Sequence, residues 1–401
     1  QTQVESLDLS TGVLTLKQAL AALSCDRFEI SAGEEAPLLG IRLLTHTALD
    51  EPFPPLSLRL GTTRGTNALL ERKGARVLCV VTAGFKHVFD IGTQQRPDIF
   101  ALWTPRPDPL CEQTIELDER LDVEGRVLRQ ADWEPLRQAL VCARAQGMDV
   151  LAGALVHAWK NPVHEQALRA LAEELGFAFI SLSSELSQML SFYGRAQTTV
   201  VNAYLAPLIH SYVDRIRAST RDCPLQIMTS AGGLVRAQDF RPLDSLLSGP
   251  AGGCVGAAAI GRQCAYERVI GFDMGGTSTD VSRYDSGFDY SYELQVKDVT
   301  VFSPALQIET VAAGGGSICG FDGYKLTVGP ESAGAIPGPA CYGAGGPLCI
   351  TDITLLAGRF DPAALGIPVF PGQPQAALHP HAPGPQRTTA QRPTEDDRLP
   401  G

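Results

Sequence analysis

One short run gathers two carboxylates, two glycines and three hydroxyls: Asp273-Met274-Gly275-Gly276-Thr277-Ser278-Thr279-Asp280. Those residue types, in that order, suit phosphate. The glycines let the backbone turn tightly and come close to a bound group. The hydroxyls of Thr277, Ser278 and Thr279 reach phosphoryl oxygens, and the carboxylates of Asp273 and Asp280 can hold Mg²⁺ or orient water. A plain hairpin turn is the alternative reading.

Two other stretches could touch a ligand. Gly61-Thr62-Thr63-Arg64-Gly65-Thr66-Asn67 joins a strand to a helix, where unpaired N–H groups and the helix dipole favour an anion. Capping of that helix by Thr66 or Asn67 explains the same residues without a ligand. Gly314-Gly315-Gly316-Ser317 is a second loop whose backbone is free to approach a bound molecule. No Gly-x-Ser-x-Gly elbow is present, so a serine hydrolase is not indicated. The ten cysteines include no Cys-x-x-Cys pair and sit mostly in apolar runs, the usage of a reducing compartment. Cys254, Cys319 and Cys341 flank glycine loops, and inert packing is the expectation for each. His379 and His381, in a Pro-rich stretch, read as solvated residues.

The 401 residues are enough for two domains, and 44% hydrophobic with 19% charged residues fits globular material. A formal charge of −11 argues against nucleic acid or an acidic membrane surface as partner. No signal peptide or membrane-length apolar run is seen, and a cytoplasmic setting is expected. Strands are expected at 56–60, 76–82, 150–156, 177–182 and 225–228, with helices at 68–73, 133–146 and from 161, the pattern of a parallel α/β unit with right-handed crossovers. Residues 198–216 form the longest helix pattern and are expected to join two lobes. A small-residue helix opens at Ser248-Gly249-Pro250. Around the phosphate-type turn, 268–274 and 281–284 read as paired strands and 288–296 as a third. Residues 1–50 contain a possible strand at 12–16, a helical pattern at 20–23 and an unplaced Leu-rich stretch at 38–44; from 371 the composition is that of a disordered tail.

GTTRGTNALLERKG at 61–74, LLSGPAGG at 246–253, GFDMGGTSTDVSRYD at 271–285, ETVAAGGGSI at 309–318 and VGPESAGAIPGPACYG at 328–343 stand in one order. With them the chain resembles the hydantoinase A and 5-oxoprolinase family over roughly residues 50–370. The resemblance implies an α/β fold of the two-lobe actin-like and sugar kinase-like ATPase kind, with ribonuclease-H-like lobes. Its parts here would be an N-terminal lobe at 1–197, a second lobe carrying the DMGGTSTD loop at 198–370, and a tail at 371–401. It also implies ATP and Mg²⁺ as cofactors and a cyclic amide, 5-oxoproline or hydantoin, as substrate. A hydantoinase B-like subunit or domain would be the partner, in an oligomer. In such a reaction ATP converts the lactam carbonyl oxygen into a phosphate ester that water attacks, and the protein's part is positioning and charge neutralisation. Gly275, Gly276, Thr277, Ser278 and Thr279 become phosphate contacts, Asp273 and Asp280 catalytic and Mg²⁺-holding carboxylates, and Gly314, Gly315, Gly316 and Ser317 a nucleotide-facing loop. Thr62, Thr63, Thr66 and Asn67 stand as the substrate or anion site. Relatives of this kind open with a first Asp-x-Gly-Gly-Thr-Phe-Thr-Asp loop, which no run before residue 61 matches, so the first lobe is expected to be incomplete. The related acetone carboxylase type, in which ATP activates a ketone, shares these loops. A non-catalytic remnant that docks on the partner is the reading from another class.

Overall fold

The computed structural model describes residues 33–95, 99–102, 107–221 and 223–359, together with the backbone of 4–8 and 13–16. The helical pattern at 20–23, loop residues 96–98, the tail from 371, Cys25, His379 and His381 lie outside the described residues. The chain divides into two compact units, Gln1–Ser57 with Tyr212–Pro224, and a larger one of Leu58–Ser211 with Leu225–Gly401.

In the smaller unit β1 (Val4–Asp8) and β2 (Val13–Leu16) pair antiparallel. The Leu-rich stretch folds as α1 (Ala36–Thr45), with a proline in its first turn, where a missing N–H breaks no bond, and His46 in the left-handed region at its end. Arg42 anchors this helix. Its buried guanidinium pairs with Glu34 at 2.7 Å and lies 4.2 Å from the Phe53 ring centroid.

The larger unit begins with β3 (Leu58–Leu60), α2 (Arg64–Leu70), β4 (Val77–Thr82), the short α3 (Val88–Ile91) and β5 (Cys111–Leu117). A hairpin of β6 (Arg120–Leu121) and β7 (Val127–Arg129) leads to α4 (Trp133–Ala145), β8 (Val150–Ala154), α5 (Val163–Glu174), β9 (Phe179–Leu182) and α6 (Ser183–Leu186). Strands β5-β4-β8-β9 form a wholly parallel sheet in that order. β4 and β8 are buried along their whole length, which is why they read as unbroken apolar runs. Leu136 and Leu140 of α4 and Leu168 of α5 close over Leu78, Val80 and Leu151. Gly153 sets the spacing, because a Cβ there would lie 2.7 Å from Leu182 Cδ2 and 2.8 Å from Leu168 Cδ2.

Past the strand ends a buried polar network fixes the next helix, α7 (Phe192–Thr220). Glu165 accepts the Leu155 N–H at 2.9 Å, the Ser183 hydroxyl at 2.6 Å and the Ser184 N–H at 2.8 Å. Burial raises its pKa and these donors oppose the rise. Arg195, also buried, donates to Ser183 Oγ at 3.0 Å and to the carbonyls of Met189 at 2.8 Å and Leu155 at 2.6 Å. α7 extends beyond the expected 198–216 at both ends and passes Pro207; from Tyr212 its residues count with the smaller unit.

β10 (Leu225–Met228) runs parallel to β3 and antiparallel to β11 (Leu234–Arg236), and α8 (Ser248–Gln263) follows. Then β12 (Arg268–Met274) and β13 (Thr279–Asp285) form the anticipated hairpin. One glycine and one alanine of α8 pack closely on this hairpin: a Cβ at Gly261 would lie 2.2 Å from Val269 Cγ2, and one at Gly271 3.5 Å from Ala257 Cβ. The third strand differs from the sequence reading. Residues 288–296 break into β14 (Tyr290–Ser291) and β15 (Leu294–Val296); β16 (Val299–Val301) pairs with β15, and β17 (Ala305–Leu306) pairs with β14. Phe288 folds back onto Tyr284, ring centroids 5.1 Å apart, so the chain leaves the sheet edge there. β18 (Ile308–Val311) takes the third place, with Thr310 opposite Asp280. A hairpin of β19 (Ser317–Phe321) and β20 (Leu326–Ser332) and the helix α9 (Ile350–Leu356) complete the described residues. Among them no helix is long and apolar enough to cross a membrane.

Candidate nucleotide site

The β12–β13 turn closes through the Gly275 N–H, which donates to the Ser278 carbonyl at 2.9 Å. Asp273 and Asp280 sit directly opposite each other in the ladder; Asp273 is exposed, and Asp280 accepts the Thr310 hydroxyl at 2.7 Å. Against this turn lies the second glycine loop, backbone on backbone. The Gly315 N–H donates to the Gly275 carbonyl at 2.9 Å and the Gly316 N–H to the Gly276 carbonyl at 2.7 Å. Gly314 admits no side chain: a Cβ would lie 2.6 Å from Gly276 C and Thr277 N and 2.7 Å from Ser278 N. Neither Gly275 nor Gly276 has a left-handed φ, so the turn itself does not demand glycine. The N–H groups of Gly276, Thr277 and Ser278 meet no acceptor among the described residues.

A cavity of about 530 Å³ opens in front of this pair of loops, within the range of small-ligand sites. Gly275, Gly276, Thr277, Gly315 and Gly316 line one wall, and Tyr342, Pro339, Ile350, Thr351 and Thr354 stand among the residues of the other. Five of the sequence-derived candidates therefore meet at one cavity. The others sit elsewhere. Ser278 is half-buried beside the turn and is not a lining residue. Thr279 is buried and donates its hydroxyl to the Ala313 carbonyl at 2.5 Å, and the buried Ser317 hydroxyl accepts the Gly314 N–H at 2.9 Å. Both hydroxyls hold the glycine loop in place instead of facing the cavity. Thr62, Thr63, Thr66 and Asn67 are apart from it. Thr62 donates its N–H to Ser248 Oγ at 3.2 Å, and Thr66 Oγ accepts the Leu247 N–H at 3.2 Å, so this segment packs on the start of α8. Neither Thr66 nor Asn67 caps α2, whose N-cap position is Thr63 and carries no side-chain cap bond.

Sequence reasoning missed the far wall and what supports it. Asp352, fully buried, accepts N–H groups from Ala340 at 3.1 Å, Cys341 at 2.7 Å and Cys349 at 2.7 Å. It thereby ties the GPACYG segment to the first turn of α9, where Thr351 donates both its N–H, at 2.9 Å, and its hydroxyl, at 2.8 Å, to the Gly315 carbonyl. The signal was present as a cap pattern, Cys349-Ile350-Thr351-Asp352, with the acid at the third helical position. Burial first, and the Asp352 carboxylate second, push the Cys341 thiol up to about 12 and Cys349 to about 11. The native state keeps these protons to higher pH than the unfolded chain, so their contribution to stability is full below pH 9.0 and is lost as pH rises through the folded values. With iodoacetamide at pH 8, Cys142 and Cys264, both exposed, are expected to label in the native protein while Cys79, Cys341 and Cys349 stay unmodified until it unfolds. Peptide mass spectrometry reads this directly; rapid native labelling of Cys341 would contradict the buried clamp.

Two family profiles match the chain in tandem, the hydantoinase/oxoprolinase N-terminal region over residues 17–176 and hydantoinase/oxoprolinase over 195–375. The 5-oxoprolinase of Saccharomyces cerevisiae is 40% identical over 373 residues. The chain belongs to the hydantoinase/oxoprolinase family. That 5-oxoprolinase match takes in 82% of this chain and 29% of the yeast protein, so the chain spans under a third of such relatives. The caprolactamase subunit alpha of Pseudomonas jessenii is 32% identical over 321 residues, 76% of this chain and 46% of that one. Among solved structures, the ATP-dependent caprolactamase from the same organism superposes with a TM-score of 0.73 at 27% identity, over 94% of this chain and 57% of that one. Nucleotide-free acetone carboxylase, at 21% identity and a TM-score of 0.65, covers 80% of this chain and 49% of its own and shares the fold alone. The hydantoinase/oxoprolinase chain described here is thus a mixed α/β protein of the same fold as these two.

Proposed function

We propose that this chain supplies the nucleotide-binding and carbonyl-activating part of an ATP-dependent hydrolase of cyclic amides such as 5-oxoproline or hydantoin, acting in the cytoplasm with a hydantoinase B-like partner. The observation that carries the reading is the glycine-walled cavity, into which the β12–β13 turn brings Gly276 and Thr277, with backbone N–H groups that have no acceptor among the described residues. Such oriented donors are what a phosphate chain needs in a protein whose net charge is negative. Asp273 and Asp280 are the two carboxylates at hand for Mg²⁺, which binds through one or two carboxylates and the phosphates themselves; no cluster of three metal-ligating side chains occurs among the described residues. In this reading the hairpin sheet with α8 behind it belongs to one lobe of a two-lobe, actin-like ATPase. ATP supplies the phosphoryl group that makes the lactam oxygen a leaving group. The protein's own part is to fix the phosphates on the turn, to hold the carboxylates at its base and to keep the far wall closed with Tyr342 and Pro339.

Gly276→Ala separates a ligand requirement from a folding one. A Cβ at Gly276 meets nothing within 4 Å, and its φ is not left-handed, so the variant is expected to melt as the wild type does. A methyl group on the cavity wall, where phosphate must approach, is expected to weaken Mg-ATP binding by about tenfold or more, read by calorimetry. A wild-type chain that takes up no Mg-ATP, or a variant that binds it unchanged, would sink the reading.

A further inference from the structure

Among the described residues, the sheet that carries the phosphate-type turn has one open side. In its order β12-β13-β18, β12 stands at the edge, seven residues long, paired without a bulge and with no proline or lysine to blunt it. One of its faces packs on α8 through Val269 and Gly271. The other presents Ile270, Phe272 and Met274, of which Ile270 is 74% and Phe272 69% exposed. A row of apolar side chains beside an unpaired edge is a surface made for a further strand.

The backbone shows which residues await that strand. In an antiparallel ladder, bonded and non-bonded residue pairs alternate. The Gly275 N–H donates to the Ser278 carbonyl at 2.9 Å and the Ser286 N–H to the Glu267 carbonyl at 2.9 Å, so the odd-numbered residues between Glu267 and Gly275 bond β13. The N–H and C=O groups of Ile270, Phe272 and Met274 therefore point out of the open edge. The same three residues supply the apolar face.

The chain's own run Leu365-Gly366-Ile367-Pro368-Val369 matches both features. In an extended segment Leu365, Ile367 and Val369 put their side chains on one face. Backbone groups alternate between the two sides of a strand in the same way. If those three turn their N–H and C=O groups to β12, then Pro368, which has no N–H, faces away from it, where an edge strand tolerates proline. The connection is short enough. The Arg359 N–H donates to the Thr354 carbonyl at 3.0 Å, and Thr354 lines the same cavity as Met274. From Arg359 to Leu365 the chain reaches up to about 20 Å, and a segment that meets β12 at its Met274 end runs antiparallel to it. The matched family region continues to residue 375 and includes this run.

We propose that residues 365–369 add to β12 as an antiparallel edge strand, with Leu365 opposite Met274, Ile367 opposite Phe272 and Val369 opposite Ile270. A slip of one residue would turn Pro368 toward β12 and the three apolar side chains toward α8, so the pattern specifies the register. The inference stands apart from the nucleotide reading.

Residue-resolved hydrogen exchange on the full chain tests it. The amides of Ile270, Phe272, Met274, Ile367 and Val369 are expected to exchange about a hundredfold or more slowly than in the unfolded chain, equally at two protein concentrations about tenfold apart, because the segment is tethered. Ile367→Pro removes a donor from the side facing β12. It is expected to release these amides while those of Val269 and Gly271, bonded to β13, stay protected. Pro368→Ala is expected to leave the pattern unchanged. Free exchange at Ile270, Phe272 and Met274 in the wild type would overturn the proposal. So would protection of β12 without protection of Ile367 and Val369, protection that persists in Ile367→Pro, or protection that grows with concentration, the mark of a second copy on the edge.

Discussion

Gly314→Ala is expected to abolish measurable Mg-ATP binding and to lower the melting temperature by several degrees, although the residue offers no side chain to any ligand. Its Cβ would stand 2.6 Å from Gly276 C and Thr277 N and 2.7 Å from Ser278 N. All three are backbone atoms of the opposing turn, so no rotamer change relieves the clash. The two loops must separate, and with them go the bonds from Gly315 and Gly316 to the Gly275 and Gly276 carbonyls. Overpacking of this kind costs about 1–3 kcal/mol and each lost bond about 1 kcal/mol more. On the proposed nucleotide reading, displacement of the turn then removes the donors to phosphate, an affinity loss on the order of a hundredfold. Melting curves and calorimetry on Gly314→Ala and Gly276→Ala together give the contrast: the first loses both stability and binding, the second binding alone. Wild-type stability in Gly314→Ala would mean that the loops do not pack as described.

That contrast shows where the sequence stops being legible. The glycine-rich runs are visible as candidates from their composition, and the β12–β13 hairpin from its apolar strand and polar turn. A string of glycines does not say which is required by packing, which by a ligand and which by neither. The space at Gly314 is closed by Gly276, Thr277 and Ser278 across the site, and the Thr62 N–H is met by Ser248, 186 residues away. Partners at such separations leave no local pattern. β18 was missed for a related reason: its residues lie half-buried or exposed at a sheet edge, so pairing with Thr279–Asp285 decides its structure, and its own periodicity does not. The parallel sheet was legible because burial on both faces writes itself into the chain as Val77-Leu78-Cys79-Val80-Val81. Asp352 was not, since one aspartate after Cys-Ile-Thr looks like any solvated acid until its three donors are seen.

Asp352→Ala is expected to be the most damaging change to the far wall of the glycine-walled cavity proposed for the nucleotide. The carboxylate is the acceptor for three backbone donors, Ala340, Cys341 and Cys349, in a place without solvent. Alanine leaves those donors unmet, and an unmet buried donor costs about 1–3 kcal/mol, so about 3 kcal/mol or more of stability should go. Asparagine keeps one acceptor oxygen but turns an NH₂ toward another donor, and an intermediate loss is expected. The damage should reach the nucleotide, because α9 presents Thr351 to the Gly315 carbonyl and the GPACYG segment presents Tyr342 to the cavity. A further readout distinguishes loss of this clamp from general destabilisation. Asp352 is the second cause, after burial, of the high pKa values of Cys341 and Cys349. Removing it should lower both, so under native conditions at pH 8 iodoacetamide should label these two cysteines faster while Cys79, equally buried but on β4 in the parallel sheet, stays protected. If all three cysteines become reactive together, the variant has unfolded globally; if none does and the melting temperature holds, the carboxylate is not the tie between the two segments.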